Sequence, residues 1–188
     1  MTDSTLFFDT DCISAFLWID DTSIVIKLYG NRVAIPMQVY KELMACKGEA
    51  SVIKARITEL LNRKEAIIVD MEVDSEEYNL YTELAFGNGS ETLMGRGEAS
   101  CIALAKYRDG ILASNNLKDV GKYIELYNLK HITTGDIIVE AYNKQMVTME
   151  DAENMWSLML RRRRKLGTAT FAEYLSRSSN ILSNDKID

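Results

Sequence analysis

The chain has 188 residues, of which 47% are hydrophobic and 27% are charged, a balance typical of a folded globular protein rather than a disordered one. Its net charge of −6 argues against nucleic-acid binding over the whole surface, because neutralising phosphates needs a local excess of Lys and Arg. The three widely spaced cysteines indicate neither a disulfide framework nor a structural zinc site, and no stretch is apolar enough to span a bilayer, so we expect a cytoplasmic protein with no membrane partner.

Short apolar runs alternate with longer segments of helical periodicity, which is the pattern of strand and helix units around a parallel sheet. The predicted strands are Leu6–Asp9, Arg32–Ile35, Ala66–Val69, Ile111–Ser114 and His131–Thr133. The predicted helices are Ile13–Ile19, Thr22–Tyr29, Met37–Cys46, Ala50–Asn62, Ser75–Ala85, Gly97–Tyr107, Leu117–Tyr127 and Asp136–Lys144. The fold class is therefore α/β.

The pattern changes after Met146. Thr148 to Asp151 has the composition of a helix start, and Ala152 to Leu166 predicts one long helix. We therefore expect a main domain over residues 1–146 and a C-terminal helical extension over residues 147–188, packed on the domain or beside it.

Acidic residues lie where an open parallel sheet binds its ligands, outside the carboxyl ends of the strands. Asp9 ends the first apolar run, and burying an aspartate there is costly unless it is paired, hydrogen-bonded or bound to a metal. Glu42 adjoins the apolar face of the helix after the second strand, and Glu98 opens a helix of small residues. These three side chains are candidates for a shared site.

Each acid also has a purely structural interpretation. Asp11 is expected to cap the helix that begins near Ile13. Glu42 can be a surface glutamate, and Glu98 can stabilise the positive N-terminus of its helix. The order of the acids along the chain therefore carries more weight than any one of them.

Three motifs resemble, in the same order, those of the PIN-domain family: FDTD at 8–11, PMQVYKEL at 36–43 and GRGEASCIALA at 95–105. The resemblance continues through ILASNN at 111–116 and TTGDIIVEA at 133–141, and it covers residues 5–145. The GEA form of the third motif is similar to VapC-type toxin ribonucleases. The resemblance implies a three-layer α/β/α fold with a central, mostly parallel sheet of about five strands, so that residues 1–146 form the nuclease domain.

Members of this family are typically metal-dependent ribonucleases. The resemblance implies that Asp9, Glu42 and Glu98 are ligands of Mg²⁺ or Mn²⁺, in an enzyme that hydrolyses phosphodiester bonds of single-stranded RNA. These hard ions take oxygen ligands and keep several waters, which agrees with that chemistry. The resemblance also implies a toxin-like role, an antitoxin-like protein partner and a homodimer.

One departure lies after the fourth strand, where the family usually has an aspartate and this chain has Ser114, Asn115 and Asn116. An amide oxygen can ligate a metal but brings no negative charge, so the alternative is a catalytically weakened PIN-like module that binds RNA or protein. Asp119 can replace the missing carboxylate, or it can form a near capping box with Asn116. Ser114 matches a small hydroxyl position of the family and is expected to orient Asp9.

Arg161, Arg162, Arg163 and Arg164 form, with Lys165, the one dense basic block of the chain. A phosphate backbone is an obvious partner, so all four arginines are candidate RNA contacts. Four successive helical positions point all round the axis, however, and cations are favoured at a helix C-terminus in any case. RNA contact, pairing with acids of the same domain and a solvated helix end therefore all stay open.

Two other classes of site are disfavoured. His131 is the only histidine, so a Ser/His/Asp or Cys/His catalytic set can be assembled only through it. A flavodoxin-like or receiver-type signalling domain would also place acids at strand ends. Such a receiver needs a lysine after the fifth apolar run, where this chain has Thr134.

Overall fold

A computed structural model describes residues 4–87 and 93–184 of the chain. The strands within these ranges are β1 (Leu6–Phe8), β2 (Val33–Pro36), β3 (Ile67–Val69), β4 (Ile111–Ala113) and β5 (Lys130–Ile132). They form one sheet in the order β3-β2-β1-β4-β5, and every neighbouring pair is parallel. The predicted parallel sheet of five strands is confirmed.

Helices cover both faces of this sheet and complete the expected three-layer α/β/α fold. The described ranges contain α1 (Thr10–Ile19), α2 (Ser23–Tyr29), α3 (Met37–Ala45), α4 (Val52–Asn62), α5 (Glu76–Phe86), α6 (Arg96–Tyr107), α7 (Leu117–Tyr127), α8 (Thr134–Asn143), α9 (Met149–Arg161) and α10 (Phe171–Asn184). Short 3₁₀ helices occupy Gly30–Arg32 and Gly48–Ser51. In these ranges no helix is both long and apolar enough to cross a membrane.

The central strands are continuous apolar runs because both of their faces are covered. Every residue of β1 and β2 is buried. Helix α6 contacts β1, β2 and β4, and its buried residues are mostly small, including Ala99, Ser100 and Ala103. Small side chains allow α6 to lie close to the sheet, which brings the first turn of this helix near the ends of the strands.

The direction in which successive strands are added to the sheet reverses at β1. Strands β2 and β3 extend the sheet on one side of β1, and β4 and β5 extend it on the other. In open parallel sheets, ligands bind outside the carboxyl ends of the strands at such a reversal. In this protein, Asp9 follows β1 at that position and Ser114 follows β4, with the Asp9 N–H donating to the Ala113 carbonyl at 2.9 Å.

The helix predicted over Ala152–Leu166 is wrong at its C-terminal end, because α9 stops at Arg161. Arg163 adopts a left-handed conformation with φ of 59°. The Arg163 N–H donates to the Leu160 carbonyl at 2.8 Å, and the Arg164 N–H donates to the Met159 carbonyl at 3.0 Å. These two bonds form a Schellman motif, which ends a helix and turns the chain away from its axis.

Helix α10 returns to the domain and packs against α8 and α9. Trp156 of α9 and Phe171 of α10 are both fully buried. The Tyr174 hydroxyl donates to Asp136 Oδ1 at 2.9 Å, at the start of α8. The C-terminal helices are therefore part of the same hydrophobic core as the sheet.

The contact between α10 and α8 depends on a missing side chain. A Cβ added at Gly135 would lie 2.3 Å from Cζ of Tyr174. We expect Gly135→Ala to lower the free energy of unfolding by about 1–3 kcal/mol, because overpacking forces the two helices apart. Urea denaturation measures this change.

Gly121→Ala is the matched control, since a Cβ at Gly121 meets nothing within 4 Å. This control is expected to gain up to about 1 kcal/mol, because alanine restricts the unfolded chain. Equal stability of the two variants would contradict the close packing of Tyr174 on Gly135.

Candidate active site

Asp9 is the N-cap of α1 and is 2% exposed. Its Oδ1 accepts a hydrogen bond of 2.7 Å from the Cys12 N–H. The prediction that Asp11 caps this helix is wrong, because α1 begins at Thr10, three residues earlier than expected, and Asp11 falls in its first turn. Capping thus places the Asp9 carboxylate at the end of the central strand, inside the protein.

Burial raises the pKa of Asp9 from 3.8 to about 7. Hydrogen bonds from Ser114 and from the backbone of Cys12 oppose this rise, whereas the negative charges of Asp11 and Glu98 add to it. Desolvation is the largest of these effects, so the ionised form of Asp9 is disfavoured. A cation beside Asp9 would favour that ionised form.

Glu42 projects from α3 to the start of α6 and is held at both carboxylate oxygens. Its Oε1 accepts from the Gly97 N–H at 2.9 Å, and its Oε2 accepts from the Thr10 hydroxyl. A Cβ at position 97 would lie 2.7 Å from Glu42 Oε2, so a larger residue there would displace the Glu42 carboxylate from this position. Helix α6 therefore presents a backbone N–H to Glu42 instead of a side chain.

Glu98 lies in the first turn of α6 and is joined to α7 through Asn116. The Asn116 side-chain amide donates to Glu98 Oε1 and to Asp119 Oδ2, each at 2.6 Å. Burial is the main cause of the raised pKa of Glu98, which the Asn116 hydrogen bond opposes and the charge of Asp119 increases. Asn116 thus holds two carboxylates near each other with a single neutral group.

The near capping box predicted for Asn116 and Asp119 is wrong. Asn116 does occupy the N-cap position of α7, but its side chain makes no capping hydrogen bond. The Asp119 N–H donates instead to the backbone carbonyl of Asn116 at 3.0 Å. The amide of Asn116 is occupied by the two carboxylates.

The neighbouring residues Asn115 and Ser114 have different surroundings. The Asn115 side chain accepts from the Thr134 N–H at 2.8 Å and donates to the Thr134 hydroxyl at 2.9 Å. It therefore joins β4 to α8 and does not reach the acids. Ser114 is fully buried and contacts Asp9 and the Asn116 N–H.

The acids open onto one cavity of about 290 Å³, which we call the acidic cavity. Asp9, Glu42 and Glu98 all line it, together with Asp11. The other polar side chains that line it are Thr10, Ser14 and Arg164. The sequence predicted the three acids at one place, and they do share this cavity.

The compact metal-ligand set predicted for Asp9, Glu42 and Glu98 is not present as such. Within residues 4–87 and 93–184, no group of three or more His, Cys, Asp or Glu side chains is arranged to hold an ion. The oxygens of Glu42 and Glu98 face hydrogen-bond donors of the chain. The three acids thus share a cavity without converging on one point.

Arginines of the basic block divide between the cavity and the surface. Arg164 Nη1 lies 3.1 Å from Asp11 Oδ1 and 3.4 Å from the Ser14 hydroxyl. Arg161, Arg162 and Arg163 are exposed, and they are not among the residues that line the acidic cavity.

The sequence did not predict an individual role for three residues of the site. Thr10 and Gly97 lie inside the quoted motifs but carried no assigned role, although both contact Glu42. Arg164 was one of four equivalent arginines. The glycine on each side of Arg96, at positions 95 and 97, was the one available signal of a close approach.

A larger cavity, of about 610 Å³, lies between α8, α10 and the chain near Gly167. Its charged side chains already have partners: Lys144 pairs with Glu140, and Arg177 pairs with Glu173. Asp136, the other acid that lines it, already accepts hydrogen bonds from Thr133 and from the Tyr174 hydroxyl. The acidic cavity is therefore the better candidate for chemistry.

In a comparison with protein families, residues 5–180 match a family described as PIN domain. The match includes α9 and most of α10, beyond the motifs that carry the resemblance. Neither the curated proteins nor the solved structures gave a match.

The raised pKa of Asp9 makes stability depend on pH. The folded protein retains a proton that the unfolded chain releases between pH 3.8 and about 7, so the Asp9 contribution to stability falls as the pH rises through this window. In EDTA, we expect Asp9→Asn to flatten this fall and to be about 1–3 kcal/mol more stable than the wild type at pH 8. Urea denaturation across the pH range measures both effects.

Asp109→Asn is the control, because the Asp109 side chain is 89% exposed. Its stability profile is expected to run parallel to that of the wild type. An Asp9→Asn profile that also ran parallel would show that burial does not disfavour the charge of Asp9.

Proposed function

The chain belongs to the PIN-domain family, whose members have a nuclease-type fold and are usually nucleases, and we propose that it is a divalent-metal-dependent endoribonuclease. Its substrate in this proposal is single-stranded RNA, cleaved by hydrolysis of phosphodiester bonds. Mg²⁺ or Mn²⁺ is the metal, because PIN domains generally use divalent ions.

One observation carries the proposal: a buried aspartate and two glutamates from three separate elements line the same cavity. Asp9 follows β1, Glu42 lies in α3 and Glu98 lies in α6. Burying carboxylates together costs free energy, and a fold retains such a group most readily where the charge has a use. Catalysis at a phosphate is such a use.

The donor set suits a hard divalent cation. Mg²⁺ and Mn²⁺ prefer carboxylate oxygens, and the hydrogen-bond partners of the buried Asp9 carboxylate among the described residues, the Cys12 N–H and the Ser114 hydroxyl, are neutral. We propose Asp9, Glu42 and Glu98 as the ligands. Such an ion, when bound, supplies a lower pKa for a coordinated water and positive charge beside the phosphate.

The other residues of the site position these acids. Ser114 and the start of α1 fix the Asp9 carboxylate, and Thr10 with the Gly97 N–H fixes Glu42. Asn116 restrains Glu98 against Asp119. Because the oxygens of Glu42 and Glu98 already accept hydrogen bonds, we expect metal binding to exchange some of these bonds.

A catalytically weakened module that binds RNA or protein is the second candidate. The observation that favours it is the neutral amide of Asn116, which lies between Glu98 and Asp119. A carboxylate there would add a negative charge to the site, whereas the amide adds none. The two candidates therefore differ in how tightly the protein binds a divalent ion.

Other expectations from the sequence stay predictions. They are the likeness to VapC-type toxins, the antitoxin-like partner, the homodimer and the cytoplasmic location. None of them is needed for the proposed chemistry.

Cleavage of RNA tests the proposed reaction directly. We expect the wild type to cleave a mixed single-stranded RNA in Mn²⁺ and not in EDTA, and Asp9→Asn to lose at least about a hundredfold in kcat, because a ligand charge is removed. Fragment lengths resolved on a denaturing gel give the rate.

Asp109→Asn, purified in parallel, controls for contaminating nucleases and for the loss of one charge. It is expected to cleave at the wild-type rate. Equal cleavage by Asp9→Asn and the wild type would remove the proposed mechanism.

Asn116→Asp tests whether the amide weakens the metal site. Without metal, we expect Asn116→Asp to destabilise the protein. Glu98 and Asp119 lose the amide that donates to both of them, and a third negative charge is placed beside them. With metal, we expect the affinity for Mn²⁺ to rise about tenfold or more, because the ligand charge increases. Isothermal titration calorimetry measures the affinity.

Asn115→Asp is the matched control from the adjacent position, where the side chain contacts Thr134 instead of the acids. Its affinity for Mn²⁺ is expected to stay within about twofold of the wild type. An equal rise in both variants would mean that Asn116 has no special place at the site.

A further inference from the structure

Arg164 stands apart from the rest of the basic block. Among the described residues, it is the only cation that lines the acidic cavity, and its side chain is 24% exposed. Arg162 lies instead over the Trp18 ring, with Cζ 5.3 Å from the ring centroid. One positive charge of the block is thus directed into the cavity.

The turn after α9 determines this direction. Had the helix continued past Arg161, the four arginines would have pointed all round its axis. The left-handed conformation of Arg163 reverses the chain, and the Arg164 N–H is fixed on the Met159 carbonyl. Met159 is itself fully buried, so the backbone of Arg164 is tied to the core.

The following chain holds the turn from its other side. The Trp156 indole N–H donates to the Thr168 carbonyl at 3.2 Å. Glu153 accepts from the N–H groups of Phe171 and Ala172, at 3.1 and 2.8 Å, which fixes the start of α10. Arg164 is therefore presented by a well-packed scaffold.

The contacts of Arg164 leave part of its guanidinium available. Its Nε donates to the Arg162 carbonyl, and its Nη1 donates to Asp11 and Ser14. Its Nη2 makes no hydrogen bond to the described residues. Asp11 is only partly buried, so its bond to Arg164 can be exchanged for a ligand at modest cost.

An RNA phosphate entering this cavity meets mostly carboxylates. Asp9, Asp11, Glu42 and Glu98 repel it, and a cation on the wall offsets that repulsion. A guanidinium binds a phosphate with two parallel hydrogen bonds, which also fixes its orientation. An arginine on the wall of the cavity therefore both reduces the repulsion of the phosphate and orients it.

We propose that Arg164 binds a backbone phosphate of the RNA substrate at the acidic cavity, releasing Asp11 as it does so. The C-terminal segment then supplies a substrate-binding residue of the active site. This inference rests on the proposed function, and it assigns the substrate contact to one arginine of the block. A purely structural pairing of Arg164 with Asp11 is the competing outcome.

Opposite effects of two substitutions separate these outcomes. If Arg164 binds phosphate, Arg164→Ala is expected to raise KM for a short single-stranded RNA about tenfold with kcat within about threefold, and Arg164→Lys is expected to recover part of the loss. Asp11→Asn removes the competitor for Arg164, so it is expected to lower KM. If the pair is only structural, both substitutions break it, and both change KM in the same direction.

Binding in the Asp9→Asn background checks the same point without cleavage. We expect Arg164→Ala to reduce the slope of log Kd against log salt by about one, because one phosphate contact is lost. In that background, Asp11→Asn is expected to tighten binding more when Arg164 is present than in Arg164→Ala, because only in the first case does it also release the guanidinium.

Arg63→Ala is the matched control, since Arg63 pairs with Glu59 on the surface and does not line the acidic cavity. It removes the same charge and is expected to leave KM and the salt slope unchanged. A wild type that does not cleave RNA would defeat the proposed function. A wild type that cleaves, with Arg164→Ala no different from Arg63→Ala, would defeat only the role of Arg164.

Discussion

The Asp9 carboxylate is buried at the carboxyl end of the central strand, and the residues around it offset the free energy needed to keep a charge out of water. The backbone of Asp9 is held in the interior, because β1 before it is paired on both sides and α1 begins at the residue after it, Thr10. Neutral donors from Cys12 and Ser114 reduce the cost without removing it. The acids of α3 and α6 open onto the same cavity, so the negative charge of the site is concentrated rather than dispersed.

The sequence was sufficient for the fold because local and global signals agree. Continuous apolar runs alternate with helical periodicity, and each predicted strand lies within one residue of the observed one at either end. The order of the motifs likewise selected Asp9, Glu42 and Glu98, which share one cavity. Which oxygen meets which donor was beyond prediction, since those contacts join residues from four separate parts of the chain.

Two features of the site had no signal in the sequence. The left-handed residue after a helix is usually glycine, but here it is Arg163. The sequence therefore did not indicate that α9 ends at Arg161, or that the turn after it directs Arg164 into the cavity. Asn115 and Asn116 are adjacent and identical, yet one amide joins β4 to α8 and the other bridges two acids. Composition cannot separate such neighbours, because only the backbone after β4 decides which way each amide faces.

The contact between Asp11 and Arg164 joins residues 153 positions apart, which has a consequence for synthesis. The carboxylates of the cavity, at positions 9, 11, 42 and 98, are synthesised before their guanidinium neighbour at position 164. Its turn is fixed only after Phe171 and α10 have emerged and packed against Trp156. A nascent chain that has not yet reached Arg164 therefore contains the four carboxylates without the positive charge that lines the same cavity in the folded protein.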